Sequence, residues 1–169
     1  DAKILALDSS TSMLARLKPD ETSGLTGLCA DMHVLPLATH CVDMVFSNLA
    51  MAGGRTLQTI FTGLRRVMKP GAILVFTCFG PDTLSGLKSA WYKTGVRSPI
   101  PDFPDMHDVG DELVRAGFRE PVMDTDRLTL EYPNLPAMFT ELEATGITFI
   151  GGENWHEAID AIGTDQLSE

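Results

Sequence analysis

No apolar run in this 169-residue chain comes near the roughly 20 residues a helix needs to cross a bilayer, and no charged-then-apolar leader opens it. A soluble cytoplasmic protein is therefore expected. An excess of base is missing too: thirteen Lys and Arg against twenty-three Asp and Glu give a net charge of −10. That balance works against general adhesion to nucleic acid or to an anionic membrane. Cysteine is scarce. Cys29, Cys41 and Cys78 are odd in number and form no CxxC pair, so no disulfide framework is expected. Cys29, His33, His40 and Cys41 fall within a short span, but adjacent His40 and Cys41 would point to opposite sides of an extended chain. That spacing suits no paired-ligand zinc site, and no metal is expected.

What is present is an ordinary globular composition, 44% hydrophobic, and long enough for one domain with a sizeable core. The most informative residue is Asp8, which ends the apolar run Ile4-Leu5-Ala6-Leu7 and is followed at once by the helix signal Ser10-Thr11-Ser12-Met13-Leu14. In an open parallel α/β sheet, ligands sit beyond the carboxyl ends of the strands, so an acid there can accept two hydrogen bonds from a ribose diol. The other half of such a nucleoside site is a glycine-rich turn after an upstream strand. The chain begins at Asp1 without one, and a truncated start is expected.

The rest of the pattern alternates strands with helices. Ser10 or Thr11 caps a helix carrying Met13, Leu14 and Leu17 and stopped by Pro19. Leu25 to Ala30 reads as a second strand closing on Asp31, and Cys41 to Phe46 as a third ending in Ser47-Asn48. Leu57, Ile60, Phe61, Leu64 and Val67 recur at helical spacing, and Lys69-Pro70-Gly71 ends that helix. Ala72 to Cys78, apolar throughout, is expected to be a central strand. Asp82 or Thr83 caps a helix with Leu84, Leu87, Ala90 and Trp91 inward, and Ser98 to Pro104 is a loop. Asp108 to Ala116 forms a helix closed by Gly117, and Pro121 to Tyr132 an antiparallel edge element bent at Asp124-Thr125-Asp126. Pro136 to Ala144 is a last clear helix, with another expected at Trp155 to Ile162. This order implies a doubly wound α/β domain with a mostly parallel sheet.

Leu7-Asp8-Ser9-Ser10, Ala30-Asp31-Met32 with Leu35-Pro36-Leu37, and Val42 to Ala50 together resemble the class I methyltransferases that use S-adenosylmethionine, which have a Rossmann-like sheet. Phe79-Gly80-Pro81-Asp82-Thr83-Leu84, Phe103 to Asp111, Arg115-Ala116-Gly117-Phe118 and Pro121 to Thr125 are more specific. They resemble the malonyl-acyl-carrier-protein methyltransferases of biotin biosynthesis. The likeness covers residues 3 to 146, which implies a partial methyltransferase domain over 1–146 and a divergent tail over 147–169. It implies that Asp8 binds the ribose hydroxyls, that Ser9 and Met13 lie along the adenine, and that Asp31 accepts from the adenine amino group beside the Met32 backbone. Ser47 would sit near the methionine portion of the cofactor, with Asn48, Phe79 and His107 on the substrate side. Bland alternatives stand beside these roles: turn or cap residues for Asp8, Asp31 and Ser47-Asn48, and plain core for Met13.

Methyl transfer to a carboxylate oxygen needs in-line approach and exclusion of water more than an acid or base, because a carboxylate is already a nucleophile at neutral pH. No catalytic base is named. The implied partner, acyl carrier protein, is acidic and would need a basic patch to dock on so acidic a chain. Arg65, Arg66 and Lys69 form one candidate patch and Lys88, Lys93 and Arg97 a second. Three departures from the family pattern are visible. The first strand, which lies in the family's sheet between the strands ending at Asp8 and beginning near Cys41, is absent with its glycine-rich loop. Met51-Ala52-Gly53-Gly54 replaces a Gln-Trp pair, and no basic stretch or last strand follows Gly146. They leave room for a non-catalytic assembly or scaffolding relative, or for a related enzyme with another substrate, such as the arginine hydroxylases that assemble respiratory complex I. A nicotinamide dehydrogenase is the generic rival for a strand ending in Asp.

Overall fold

The computed structural model describes residues 2–17, 24–51, 57–95 and 98–145. In chain order these form β1 (Ile4–Asp8), α1 (Thr11–Leu14), β2 (Leu25–Cys29), β3 (Val42–Asn48), α2 (Leu57–Val67), β4 (Met68–Thr77), α3 (Ser85–Thr94), α4 (Met106–Arg115) and α5 (Leu135–Ala144). The chain divides into two units, 1–51 with 55–77 and 108–122, and 52–54 with 78–107 and 123–169.

The first unit holds two βαβ crossovers. β1 runs parallel to β2 from Ile4 opposite Leu25 to Asp8 opposite Cys29. The ladder opens with the Ile4 N–H donating to the Gly24 carbonyl at 3.0 Å. Gly24 has φ +58°, and a Cβ there would stand 2.8 Å from the Ala2 carbonyl oxygen, so only glycine fits this entry to the strand. Ser10, in extended conformation, caps α1 by accepting the Met13 N–H on its Oγ at 3.3 Å. The helix is one turn, shorter than its sequence pattern predicts. Leu14 and Leu17 pack over Gly27, where a Cβ would meet them at 3.6 and 3.5 Å.

β3 pairs parallel with β4, Met44 opposite Ile73 through Asn48 opposite Thr77. The expected break at Lys69-Pro70-Gly71 is instead the irregular start of β4, since Val42 pairs with Met68 before the register shifts. Pro70 has no N–H for the ladder and Gly71 takes φ +82°, so the surplus residues bulge without breaking the strand. α2 buries the predicted stripe of Leu57, Ile60, Phe61, Leu64 and Val67. Phe61 meets Phe76 of β4 at 5.5 Å between ring centroids and Phe118 edge-on at 6.3 Å. α4 buries Val109 and Leu113 and ends as expected at Gly117, φ +90°.

The apolar run of β4 predicts a strand covered on both faces. One face carries Phe76 under α2, but on the other Ile73 is 61% and Phe46 of β3 71% exposed, with Met44 and Val75 beside them. Among the described residues a helix packs on one side of this strand pair and nothing covers the other.

In the second unit, Leu87 and Trp91 of α3 are buried with Ile100, Phe103 and Leu142, and Phe79, Leu84, Met138 and Phe139 pack against them. Asn134 caps α5 by accepting the Ala137 N–H at 2.9 Å. The cap expected from Asp82 or Thr83 on α3 is not made: Leu84 holds the cap position at φ +54°. Thr83 donates its N–H to the Gly80 carbonyl in a turn, and Asp82 is paired with Arg127.

The antiparallel edge element expected over 121–132 is not formed. These residues carry no strand assignment, and Val122 is 95% exposed. At its centre Asp124 accepts the Thr125 N–H at 2.8 Å, a donor that a ladder would require, and no bend is formed there. The expectations for Gly53-Gly54, Pro19, Trp155 to Ile162 and the 147–169 tail lie outside the described residues. No helix among the described residues is long and apolar enough to cross a membrane.

Candidate functional site

Parallel pairing places the two candidate acids at the same end of one strand pair. Asp8 is the last residue of β1, opposite Cys29, and the ladder continues one step as the Ala30 N–H donates to the Asp8 carbonyl at 3.0 Å. Asp31 therefore follows two residues past the last rung of β2. This carboxyl end is where ligands lie in open parallel sheets.

The half-buried Asp8 carboxylate accepts the Ser10 N–H on Oδ1 at 2.7 Å. Ser9 is exposed, and its carbonyl accepts from the Cys29 thiol at 3.5 Å. Met13 is 53% exposed in the turn that Ser10 caps. Asp31 lies on the surface. Its Oδ1 accepts both the His33 N–H at 2.9 Å and His33 Nδ1 at 2.7 Å. These bonds, the backbone one foremost and then the imidazole, hold its carboxyl below the ordinary aspartate value. Met32 is half-buried between them. The Val34 N–H closes the turn on the Asp31 carbonyl at 3.0 Å.

Ser47 and Asn48 end the other strand pair. Asn48 Oδ1 accepts the Thr77 hydroxyl at 2.7 Å, and Thr77 Oγ1 accepts the Leu49 N–H at 3.0 Å. Leu49 sits at φ +53°, turning the chain sharply as it leaves β3. Phe79 and His107 belong to the second unit. Phe79 stacks against Phe103 with centroids 5.2 Å apart, so it is a core contact there. His107 is exposed in the first turn of α4, its backbone N–H donated to Asp105 at 2.7 Å.

Sequence reasoning missed three participants. Thr77 was identifiable only once the β3–β4 register was known. His33, weighed only as a metal ligand, is the partner of Asp31. Arg66 donates from its two terminal nitrogens to the Leu37 and Leu35 carbonyls, both at 2.7 Å, and so fixes the segment after Asp31 against α2. An open cavity of about 380 Å³ lies there, lined by His33, Gln58, Thr59, Thr62, Gly63 and Arg66. The candidate basic patches are partly consumed by internal contacts. Besides Arg66, Arg65 Nε donates to the Gly117 carbonyl at 3.2 Å and Lys69 is paired with Asp43 at 2.8 Å. Lys88 stands 3.7 Å from Asp102 and over the Phe103 ring, whereas Lys93 is exposed.

Residues 1–76 match the family model of a methyltransferase domain. A malonyl-[acyl-carrier protein] O-methyltransferase of Gallionella capsiferriformans is 41% identical over 153 residues, covering 86% of this chain and 53% of that protein. One of Xylella fastidiosa is 39% identical over 149 residues, covering 87% and 50%. A solved S-adenosylmethionine-dependent methyltransferase from Mesorhizobium loti superposes with a TM-score of 0.54 over 86% of this chain and 73% of its own, at 22% identity. This chain is similar in sequence to these methyltransferases and shares the fold of the solved one. It spans about half the length of the curated relatives it matches. The fold class read from the sequence is thereby supported, with two parallel βαβ units in place.

Proposed function

We propose that this chain is part of an S-adenosylmethionine-dependent O-methyltransferase that esterifies the free carboxylate of a malonyl group carried on acyl carrier protein, in the cytoplasm. The observation that carries the reading is the pair Asp8 and Asp31 at the carboxyl tips of neighbouring parallel strands, in a chain 41% identical to a protein named for that reaction.

The residues fit the cofactor by their chemistry. Both side chains are acceptors at a strand end, and among the described residues each is bonded within the protein through Oδ1. A ribose diol and an adenine amino group are donors, and carboxylates bind donors most strongly. In this reading Asp8 holds the diol, Asp31 the amino group, and Met32 offers its backbone beside the ring. Ser9 and the exposed Met13 flank the adenine, and Ser47 lies toward the methionine end. Asn48, anchored by Thr77, and, in the second unit, His107 are the residues this reading assigns to the acceptor. Phe79 contributes there only through the packing it gives Phe103. Residues 1–146 form part of the methyltransferase domain and 147–169 a tail.

The cofactor, when bound, supplies an electrophilic methyl group on sulfonium. What the protein must add is alignment and exclusion of water, since the malonyl carboxylate is ionised near neutral pH without a base. An acidic carrier protein would meet the remaining donors of Arg65, the exchangeable Lys69 and the exposed Lys93. Surface pairs of the Lys69–Asp43 type are worth only about 0–1 kcal/mol and are readily given up to a partner.

Calorimetric titration of the protein at its full natural length with S-adenosylhomocysteine tests the cofactor, and mass spectrometry of malonyl-acyl carrier protein after incubation with S-adenosylmethionine tests the transfer. A methyl ester on the malonyl group is the expected product. Binding heat without any ester would move the reading to another acceptor, and no binding would leave a non-catalytic relative.

A further inference from the structure

The Asp31 carboxylate is not simply a surface acid. Two donors from the same residue converge on one of its oxygens: the His33 backbone N–H at 2.9 Å and the His33 imidazole Nδ1 at 2.7 Å. A carboxylate has no proton to give, so Nδ1 must be the protonated, donating nitrogen. The other ring nitrogen, Nε2, is buried and meets no partner among the described residues. The imidazole's polar engagement is thus with Asp31, and its ring body lines the cavity against α2 together with Arg66. The Asp31 carbonyl is fixed as well, by the Val34 N–H at 3.0 Å. Backbone turn, backbone donor and ring donor together determine where the second oxygen, Oδ2, lies.

We propose that His33 is the positioning residue that makes this site select a 6-amino purine over a 6-oxo purine. By occupying Oδ1 from two directions, His33 leaves Oδ2 as the acceptor presented to a ligand. An acceptor so fixed rewards an exocyclic amino donor. It penalises a carbonyl oxygen at the same position, which would set two acceptors against each other with no proton between them. Without the ring donor, the carboxylate keeps its charge and the backbone bond but loses one of the two restraints on χ2, and the distinction between the two bases weakens. His33 touches no reacting atom in this scheme; it acts through Asp31. The inference rests on the reading of Asp31 as the adenine acceptor given above, and adds what enforces its selectivity.

The test is a pair of affinities, for S-adenosylhomocysteine and for its 6-oxo counterpart S-inosylhomocysteine, measured by calorimetry on the protein at its full natural length. The wild type is expected to prefer the adenosyl compound, and Asp31→Ala to abolish the preference. His33→Ala should reduce the ratio of the two affinities by roughly 2- to 10-fold, the worth of one ordinary hydrogen bond. His33→Asn, whose Nδ2 can reach the place of Nδ1, should restore it, and His33→Phe, which keeps the ring volume without the donor, should not. A purely structural role for His33 would weaken both ligands alike and leave the ratio unmoved. If Asp31→Ala collapses the preference while His33→Ala and His33→Phe preserve it, the role of His33 is overturned and the adenine site stands. If Asp31→Ala itself leaves the preference intact, or the wild type shows none, the underlying assignment of Asp31 falls and the proposal with it.

Discussion

Asp8 and Ser10 are joined by a 2.7 Å hydrogen bond from the Ser10 N–H to the Asp8 carboxylate, while Ser10 turns its own hydroxyl to the Met13 N–H. The turn that ends β1 is thus also the cap of α1. The orientation of the acid and the start of the helix are one local structure, so changes at Asp8 must be read with this turn in mind.

Asp8→Ala removes both the turn bond and the proposed acceptor of the ribose diol. Affinity for S-adenosylhomocysteine should fall by about 1–3 kcal/mol, the range for losing hydrogen bonds to a charged group. Ser10→Ala loses only the cap, costing about 0.5–2 kcal/mol of stability. Calorimetry and thermal melts on both variants separate the effects. Equal binding losses from the two would show that Asp8 acts through the turn alone.

Arg66→Ala strips the Leu35 and Leu37 carbonyls of their donors and should destabilise the protein by about 1–3 kcal/mol. Arg66→Lys should recover only part, because a single ammonium cannot span two carbonyls with the reach of a planar fork. The denaturant midpoint reports both. A lysine variant as stable as wild type would show that one bond carries the clamp.

Phe61 is fully buried between Phe76 and Phe118, so Phe61→Ala should cost about 3–5 kcal/mol. Against a total stability of roughly 5–15 kcal/mol for a domain, that is enough to unfold a large fraction of molecules near 37 °C. Phe61→Leu should lose markedly less, and circular dichroism melts distinguish the two.

The Asp31 carboxyl titrates below its unfolded value because His33 bonds the ionised form. Its contribution to stability is therefore present above the unfolded carboxylate value, about pH 4, and is lost as pH falls through the lower, folded value. Carbon-13 titration of the side-chain carboxyl should show an Asp31 midpoint below those of free aspartates. His33→Ala should bring it part of the way back, since the backbone donor, the larger cause, remains.

Phe46 and Ile73 lie diagonally across the uncovered face of the β3–β4 pair, Phe46 opposite Val75 and Ile73 opposite Met44. Exposed apolar patches on parallel strands promote association. Phe46→Ser combined with Ile73→Thr should raise the solubility of the 169-residue chain and reduce its binding of a hydrophobic dye. Unchanged dye binding would show that the patch is covered in solution.

Much of the fold was readable because its determinants are local. The Leu57 to Val67 stripe is a helix wherever a core is available to receive it, Gly117 ends α4 by its backbone freedom, and Asn134 caps α5 from an adjacent position. The site was half readable for the same reason. Asp8 ends β1 and Asp31 follows β2 by two residues, and that is a matter of residue order. The contacts of Thr77, His33 and Arg66 were not foreseen because they depend on what lies opposite, across a strand pair, a turn or a helix.

The amino-acid order by itself determined the alternation of strand and helix, the acids at the strand ends and the family likeness, since these follow from side-chain period, turn chemistry and motif. Tertiary structure alone decided that β4 has one covered face and one open one, that residues 121–132 join no strand ladder, and that Asp31 is steered by a histidine. Apolar periodicity states how much surface a segment would bury, and a donor states that it can bond. Neither states which neighbour arrives, because that depends on the summed packing of segments far apart in the chain.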